Sequence, residues 1–572
     1  MVSATLHVHI GQCGNQIGEH FWSLAADDFA AAADNGDASS FSPQYPHPLF
    51  HEQDGRAAAV FVDSEAKVVD RLRKNSRLAS VLRKEACITD SSGRANNWAM
   101  GFTSSCKELA QGRGLFYSTV NVLRRELERI DSLQSLVIYH SLAGGTGAGV
   151  GSALFQYLRE ACPSVNITTC SVGPFSTGDC ATQWYNSALT LNALSEHADT
   201  ILYRDNDQLL GEYLRVAGAA QGTGRRGMSG GRGLALATSK ASMGRLNESL
   251  AADLACLLFP TVTSPSIPTC GGGGYRAWDA LALQHDCTPF KYAKFVDNRS
   301  SWSASAASTL PTSSVPFKAA AGHGLHHVPD GRLGGAGGGQ WADECVYVGK
   351  DVIASFPTED GRGKANVTLA AQMTVRGVDL PGTGPHVPGQ EQVSLSEHPR
   401  GKGGPQKSGQ CRNSNRNHQK PQTSNPYLPP TPWHPGLTAF LHHDLPRALR
   451  LPSWRQGSAI GTVFSSHSQP SILPCTSVPA ARPFSSSSPG VAICANRTHM
   501  SSTVEKILGR AEEMAEHRAY LHWFHRYGIE DDDFTAAFEG LRRVKEEYDE
   551  LGAESDRALR AMSGRRRIRD YR

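Results

Sequence analysis

Two glycine-rich stretches and one acidic pair hold the residue types best suited to chemistry. Gly144-Gly145-Thr146-Gly147-Ala148-Gly149 follows an apolar β-type run, Leu136-Val137-Ile138-Tyr139, and leads into an expected helix from Val150 to about Glu160. A strand, a glycine turn and a helix start make a phosphate site. Glycine lets the backbone come close to an anion, and the free N–H groups of the helix start point at it along a favourable dipole. The same junction also occurs in sheets that bind nothing, so on this stretch alone both readings stand. Gly11-Gln12-Cys13-Gly14-Asn15-Gln16 repeats the arrangement after the alternating run at 4–10, with a helix expected from Ile17 to about Ala33. Asp63-Ser64-Glu65 closes a strand expected over Ala57–Val62. Two carboxylates just past a strand end suit magnesium, an oxygen-seeking cation usually shared with phosphates. A solvated loop end is the more common setting for such a pair.

Strands and helices alternate through residues 1–215, which predicts a mostly parallel sheet with ligands beyond the carboxyl ends of its strands. Arg94–Ala99 reads as a polar turn before a helix. Phe116, Val120, Leu123, Leu127 and Ile130 recur at helical spacing. Asn166–Val172 and Thr200–Tyr203 read as strands, Thr182–Glu196 and Met243–Phe259 as helices, and Trp278–Leu283 as a helix start. Residues 217–235, rich in glycine and arginine, read as a surface loop. Tyr292–Val296, Glu344–Val348, Val352–Ser355 and Val367–Val375 are expected strands. Residues 301–340, which include His323, His326 and His327, read as polar filler. Residues 380–433 and most of 445–490 are too poor in apolar residues to form a core. Order is expected again from Val491–Cys494, a strand. A helix over Ser501–Phe524 follows, capped by Ser502 or Thr503, with a buried stripe of Val504, Ile507, Leu508, Ala511, Met514, Leu521 and Phe524. Tyr527-Gly528-Ile529 breaks it. The acids at 530–533 then favour a second helix, with Phe534, Phe538, Leu541 and Val544 on its apolar face. Gly564–Arg572 is a basic tail of the kind read by nuclear import or anionic surfaces; an unstructured end is the expectation.

A chain of 572 residues with 39% hydrophobic content is long enough for two or three domains. A net charge of +3 gives no bulk attraction to nucleic acid. No run approaches 18 apolar residues, and the start lacks a basic segment followed by a long apolar core, so neither a membrane span nor a signal peptide is expected. The 13 scattered cysteines, with no C-x-x-C pair, argue for reduced thiols over a disulfide frame or zinc site.

GQCGNQIG at 11–18, FVDSE at 61–65, NNWA at 96–99, AGGTGAG at 143–149, YNSALTL at 185–191 and DND at 205–207 resemble, in this order and spacing, the tubulin superfamily. Within it the resemblance is greatest to the delta-tubulin class, through NNWA-x-G, AGGTGAGVG, VYVGKDV at 346–352 and AYLHWFHRYGIEDDDF at 519–534. It covers roughly 1–215, 240–300, 342–375 and 490–548. The resemblance implies an α/β, tubulin-like three-part architecture with long disordered insertions. Residues 1–240 would be a Rossmann-like GTP-binding domain and 241–379 an intermediate α/β domain. Residues 380–490 would be a low-complexity insertion and 491–572 a C-terminal helical region.

The implied ligands are GTP and Mg2+. Gln12 and Cys13 would lie in the first phosphate loop, and Asp63 and Glu65 on the magnesium side. Ala95 and Asn96 would approach the γ-phosphate, while Ser141, Gly144, Gly145, Thr146 and Gly147 would wrap the phosphates. Asp179 would lie near the ribose. Asn206 and Asn247 would read guanine, since an amide side chain both donates and accepts. The site is not a P-loop, because no Gly-Lys-Ser/Thr follows the glycines. A dinucleotide oxidoreductase shares the glycine turn, but no G-x-G-x-x-G follows the first strand with an acid about 20 residues on. Two departures stand out. Met243 falls where the main tubulins place an aromatic ring against the base, and a thioether packs there without ring stacking. Asp279 matches an acidic position of the loop that reaches a neighbouring subunit's nucleotide, but Ala282 falls on the water-activating glutamate. Alanine orients no water, so GTP binding with at most weak hydrolysis is implied. Implied partners are other tubulins or microtubules and centriolar or basal-body proteins, with no nucleic acid and no membrane. The implied setting is cytoplasm, cytoskeleton, centriole or basal body and cilium, with the nucleus a compartment the basic tail would allow. A non-polymerising GTP-binding adaptor is the alternative.

Overall fold

The structure, a computed structural model, describes residues 4–34, 48–51, 53–178, 180–220, 243–259, 261–263, 274–276, 278–302, 349–360, 363–378, 447, 449–450, 471–476 and 490–569. Strand β1 (Ala4–Ile10) runs straight into helix α1 (Gly11–Asp34). Next come β2 (Ala59–Asp63), α2 (Ala66–Lys74), α3 (Ser76–Val81), β3 (Cys87–Thr89), α4 (Trp98–Gln111), α5 (Leu115–Leu127) and β4 (Leu133–Ser141). A wide π-type turn, Gly145–Val150, leads into α6 (Gly151–Ala161), β5 (Asn166–Gly173), α7 (Gln183–His197), β6 (Thr200–Asp205) and α8 (Asn206–Ala220). The chain continues with α9 (Met243–Leu258), β7 (Thr261–Thr263), β8 (Gly274–Arg276), α10 (Ala280–Cys287), β9 (Phe295–Trp302) and β10 (Thr368–Val378). It closes with β11 (Ser471–Thr476), β12 (Gly490–Arg497), α11 (His499–Glu516), α12 (Leu521–His525) and α13 (Asp531–Arg569).

The strands lie in the order β3-β2-β1-β4-β5-β6-β9-β12-β10-β11-β7-β8. From β3 to β9 every neighbour pair is parallel; β9–β12 and β12–β10 are antiparallel. The first six strands follow the doubly wound order, and the winding reverses between β1 and β4. Ligands collect at such a switch point, beyond the carboxyl ends of the strands. Both glycine stretches end there.

Side chains alternate across the parallel strands. Leu6, Val8, Ile10, Leu136 and Ile138 face a core shared with α4 to α7 and with Val504, Phe524, Phe534 and Leu541 of α11 to α13. Val137, Tyr139 and Phe61 face a second core with Ile17, Phe21 and Trp22 of α1 and Leu250 and Leu254 of α9. His7 and His9 sit on this second face, fully buried. Nδ1 of His7 meets the Tyr139 hydroxyl at 2.9 Å, and Trp22 Nε1 donates to His9 Nε2 at 3.0 Å. Burial drives His7 down to about 3 and His9 well below the ordinary range, so both rings are neutral. Among the described residues no helix is long and apolar enough to cross a membrane. Among the described residues nine cysteines are free thiols, buried Cys170 and Cys494 included.

Several sequence expectations are corrected. The stretch Gly11–Gln16 is the first turn of α1, not a loop before it. Gly145–Val150 is already helical, because Gly145, Gly147 and Gly149 permit a close-packed widened turn that a side chain at those positions would clash in. Residues 349–355 are helical rather than extended: Val352 and Phe356, at helical spacing, are both buried. The strand expected at Tyr292 starts at Phe295 and continues through charged residues to Trp302. The helix expected over Ser501–Phe524 is two helices. Arg518 (φ 51°) and Tyr520 (φ 60°) break it at 517–520, and Ser502 and Thr503 are interior, donating to His499 O. Residues 217–220 continue α8, 564–569 continue α13, and Ser471–Thr476 pairs with β10 inside a stretch too poor in apolar residues to suggest it. His323, His326, His327, Glu344–Val348 and most of 380–490 lie outside the described residues.

Candidate functional site

The two glycine turns touch. Gly11 takes a left-handed φ of 73°, and a Cβ on it would stand 2.8 Å from the backbone N of Gly147. Gly145 lies so close to the 94–97 turn that a Cβ would stand 2.3 Å from Arg94 O. Ser64 Oγ and Thr146 Oγ1 are 2.6 Å apart, tying the end of β2 to the second glycine turn. Asn15 donates to Val62 O at 2.9 Å and reaches Asp63 Oδ2 at 3.5 Å. Gln12, Cys13, Asp63, Glu65, Ser141, Gly144, Gly145, Thr146 and Gly147 therefore gather at one end of the sheet, around the carboxyl ends of β1, β2 and β4.

Ala95 and Asn96 join them in strained backbone, with φ of 48° and 49°. Left-handed non-glycine residues persist only where surroundings fix them. Here Asn96 O accepts from Thr182 Oγ1 at 3.0 Å and from Asn186 Nδ2 at 2.7 Å. The same Asn186 amide donates to Ala143 O at 2.7 Å, and its oxygen accepts from Trp98 N at 3.0 Å. One buried side chain thus joins the 95–98 turn to the glycine turn. Asn97 caps α4 through Met100 N, 3.1 Å, and donates to Trp523 O at 3.0 Å. Arg94 is fixed by Glu108 at 2.6 Å.

The other end of the crevice belongs to α8 and α9. Asn206 begins α8; Asp205 caps it by accepting from Gln208 N at 2.7 Å. Asn247 lies on α9 and donates to Gln16 Oε1 of α1 at 2.8 Å. Met243, 42% exposed, sits one helical turn before it. Ser176 donates to Asp207 from its N, 2.8 Å, and its Oγ, 2.5 Å, which folds the loop after β5 over the start of α8. Asp179 lies outside the described residues.

Burial sets the electrostatics. Asp63 is pushed up to about 6, chiefly by burial, with Glu65 repelling in the same direction. Such a carboxyl is matched to a cation that keeps it ionised. Burial also raises Asp205 to about 6 and the Cys13 thiol to about 12, so Cys13 is an unreactive thiol here.

Among the described residues seven side-chain amide oxygens are buried without a hydrogen-bond partner, and Oδ1 of Asn15, Asn206 and Asn247 are three of them. Leaving such an acceptor unmade costs about 1–3 kcal/mol. Guanine offers adjacent N–H donors on its ring edge, where adenine offers an unprotonated ring nitrogen, so the pair at 206 and 247 fits guanine. The backbone crowding around Gly11, Gly145 and Gly147 fits phosphates, and Asp63 with Glu65 fits magnesium between oxygens. When bound, magnesium would offset phosphate charge; the chain's own residues supply binding and orientation.

Sequence reading gave no role to Asn15, Gln16, Ser64, Thr182 or Asn186. Four of the five lie inside recognised motifs, but their work is contact between segments far apart in sequence. Asp279 proves to be the N-cap of α10, accepting from Ala282 N at 3.0 Å, and takes a bond from Gln134 at 3.3 Å. Gln284 accepts from Asn166 at 2.8 Å. Gln134 and Asn166 begin β4 and β5, so α10 lies at the opposite end of the sheet from the glycine turns. The nine residues of β4 separate them by roughly 26 Å at about 3.3 Å per residue.

Residues 4–213 match the Tubulin/FtsZ family, GTPase domain. Similar proteins include the tubulin beta-1 chain of Homo sapiens, 35% identical over 211 residues, 36% of this chain and 45% of that one. The tubulin beta-1 chain of Glycine max is 34% identical over 210 residues, 36% of this chain and 46% of that one. The matched stretch spans under half the length of these relatives. The fold of residues 4–213 agrees with this similarity to a GTPase domain of the Tubulin/FtsZ type. Over this stretch the chain is similar to members of the tubulin superfamily.

Proposed function

We propose that this chain is a GTP- and magnesium-binding cytoskeletal protein of the delta-tubulin type. It would act with other tubulins or microtubules and centriolar or basal-body proteins, in the triplet microtubules from which cilia grow. The observation that carries the nucleotide reading is the pair of unpartnered buried amide oxygens on Asn206 and Asn247, set beside a backbone cradle that excludes a Cβ. In this reading residues 1–240 form the GTP-binding domain, 241–379 the intermediate domain, 380–490 an insertion and 491–572 the C-terminal helical region. Asp63 and Glu65 hold magnesium, Ala95 and Asn96 meet the γ-phosphate, and Asp179 approaches the ribose. Localisation would be cytoplasmic and cytoskeletal, at centriole, basal body and cilium. Nucleotide competition tests the ligand: GTP with magnesium binds and NAD does not. A tagged copy in a ciliated cell tests the setting. A centriolar or basal-body focus supports it; a diffuse signal overturns it.

Ala282 favours an adaptor-like variant of this reading. Its helix, α10, lies a strand's length from its own chain's glycine turns, so any service to GTP would be to a subunit stacked head to tail. An alanine supplies no water-orienting group, and Asp279 is engaged as a cap. Assembled protein should turn over GTP slowly, and Ala282→Glu should speed it. Rapid phosphate release by the unaltered chain would refute this.

A further inference from the structure

Behind the two asparagines lies a buried cluster of charge that nucleotide contact does not require. Arg204 ends β6, and Asp297 and Arg299 lie on β9. Glu212 is on α8 and Asp253 on α9, each six residues after the asparagine of its own helix. Glu212 bonds both Arg204 and Arg299. Asp253 accepts from Ser300 Oγ at 2.7 Å and Ser300 N at 3.2 Å, and lies 3.6 Å from Arg204. Arg299 pairs with Asp297 at 2.9 Å and bonds Ser355 O. Arg204 also donates to Asn298 O at 2.7 Å. All five charged side chains are at least nine-tenths buried.

A buried ion cluster is weak evidence for stability but good evidence for fixed geometry, since any displacement strands a charge in low dielectric. Burial works against the Arg204 charge, but Glu212, Asp297 and Asp253 outweigh it and hold the guanidinium firmly protonated. Burial likewise opposes ionisation of Asp297, and Arg299 and Arg204 reverse that. Rotation or sliding of either helix would break its carboxylate from this centre.

We propose that Glu212 and Asp253, clamped on Arg204, Arg299 and Ser300, are positioning residues that fix the separation of Asn206 and Asn247 and thereby set discrimination for guanine over other purines. This rests on the reading of those asparagines as the guanine contacts. Because β9 and Ser355 belong to the stretch beyond the matched GTPase domain, base discrimination is tied to how that stretch seats against it.

The test is competition binding of GTP, ITP and ATP to the full chain, with thermal melting alongside. ITP lacks the 2-amino group. Asn206→Ala and Asn247→Ala should each collapse the preference for GTP; if neither does, the guanine reading itself fails. With those controls behaving, Glu212→Gln should lower the GTP-over-ITP and GTP-over-ATP ratios about tenfold, since a displaced asparagine forfeits roughly one neutral hydrogen bond to the base edge. Ser300→Ala strands no charge and should lower them about threefold with little change in melting. Ratios unchanged in both Glu212→Gln and Ser300→Ala would overturn the proposal while leaving the guanine reading intact. If Glu212→Gln does not fold, Ser300→Ala alone decides.

Discussion

On the proposed reading of the site, its phosphate end and its base end are made of different material. At the phosphate end the groups that would meet the ligand are backbone, drawn from 11–14 and 141–149, and at Gly11, Gly14, Gly145, Gly147 and Gly149 the packing leaves no room for a Cβ. At the base end they are the side chains of Asn206 and Asn247, carried on two helices and backed by a charge cluster reaching to Ser355. A backbone cradle follows from short-range composition and holds any phosphate chain. A side-chain pair depends on helix placement and can distinguish bases. Substitutions should therefore separate into those that lower affinity for all nucleotides and those that change the ranking among them.

The largest effect is expected from Gly145→Val. Its Cβ would stand 2.3 Å from Arg94 O and 2.7 Å from Arg94 Cβ, both fixed groups. Overpacking of this kind costs roughly 3 kcal/mol. The melting temperature should fall, and GTP, ITP and ATP should all lose affinity in the same proportion. Asn186→Ala comes next. It removes bonds to Asn96 O and Ala143 O and from Trp98 N. The loss should be about 2 kcal/mol in denaturant unfolding, with affinity for GTP over GDP reduced as the 95–96 turn loosens. A selective loss of guanine preference in either variant would break the contrast between the two ends.

The base end carries a smaller, pH-dependent strain. Asp205 titrates near about 6 in the folded state, raised by burial, against about 3.9 unfolded. Folding therefore favours its protonated form. The apo protein loses stability as pH rises from about 4 through about 6, by up to about 3 kcal/mol from this group, and the loss is complete above that. Asp205→Asn keeps an oxygen for the Gln208 N–H and removes the titration. Asp63, His7 and His9 titrate alike in both proteins, so the difference in unfolding free energy between variant and parent isolates Asp205: it should rise in the variant's favour across that window and stay there at pH 8. An unchanged pH profile would show that Asp205 is better solvated than its cap geometry implies.

How much of this was legible follows the same division. Gly11, Gly144–Gly149 and Asp63-Ser64-Glu65 announce themselves, because strand-then-glycine is a local pattern with a local cause. The alternation of strands and helices over 1–215 was equally readable. Asn186 was not, because its role is to join two turns that lie 43 and 90 positions before it in the chain. Glu212, Asp253 and Arg299 were unreadable for a stronger reason. A run such as Asp297-Asn298-Arg299-Ser300 looks solvated, and only tertiary pairing makes its burial tolerable. Arg518 and Tyr520, breaking a helix of good periodicity, and Ser471–Thr476, joining the sheet from a polar stretch, likewise owe their conformations to packing rather than propensity.

The smallest effect should come from Met243→Trp. Met243 opens α9 one turn before Asn247 and is 42% exposed, so a larger ring can be accommodated without displacing core. If the base lies between Asn206 and Asn247, this turn borders its face. Aromatic stacking on a base contributes about 1–3 kcal/mol, and the thioether already supplies part of that contact, so a net gain near 1 kcal/mol, about fivefold in affinity, is expected. Stacking is indifferent to the base edge, so GTP, ITP and ATP should gain together. That outcome would show that the face of the base and its edge are read by separate groups on one helix. A gain confined to GTP would instead show that the ring acts by shifting Asn247, and no gain at all would place the base beyond the reach of residue 243.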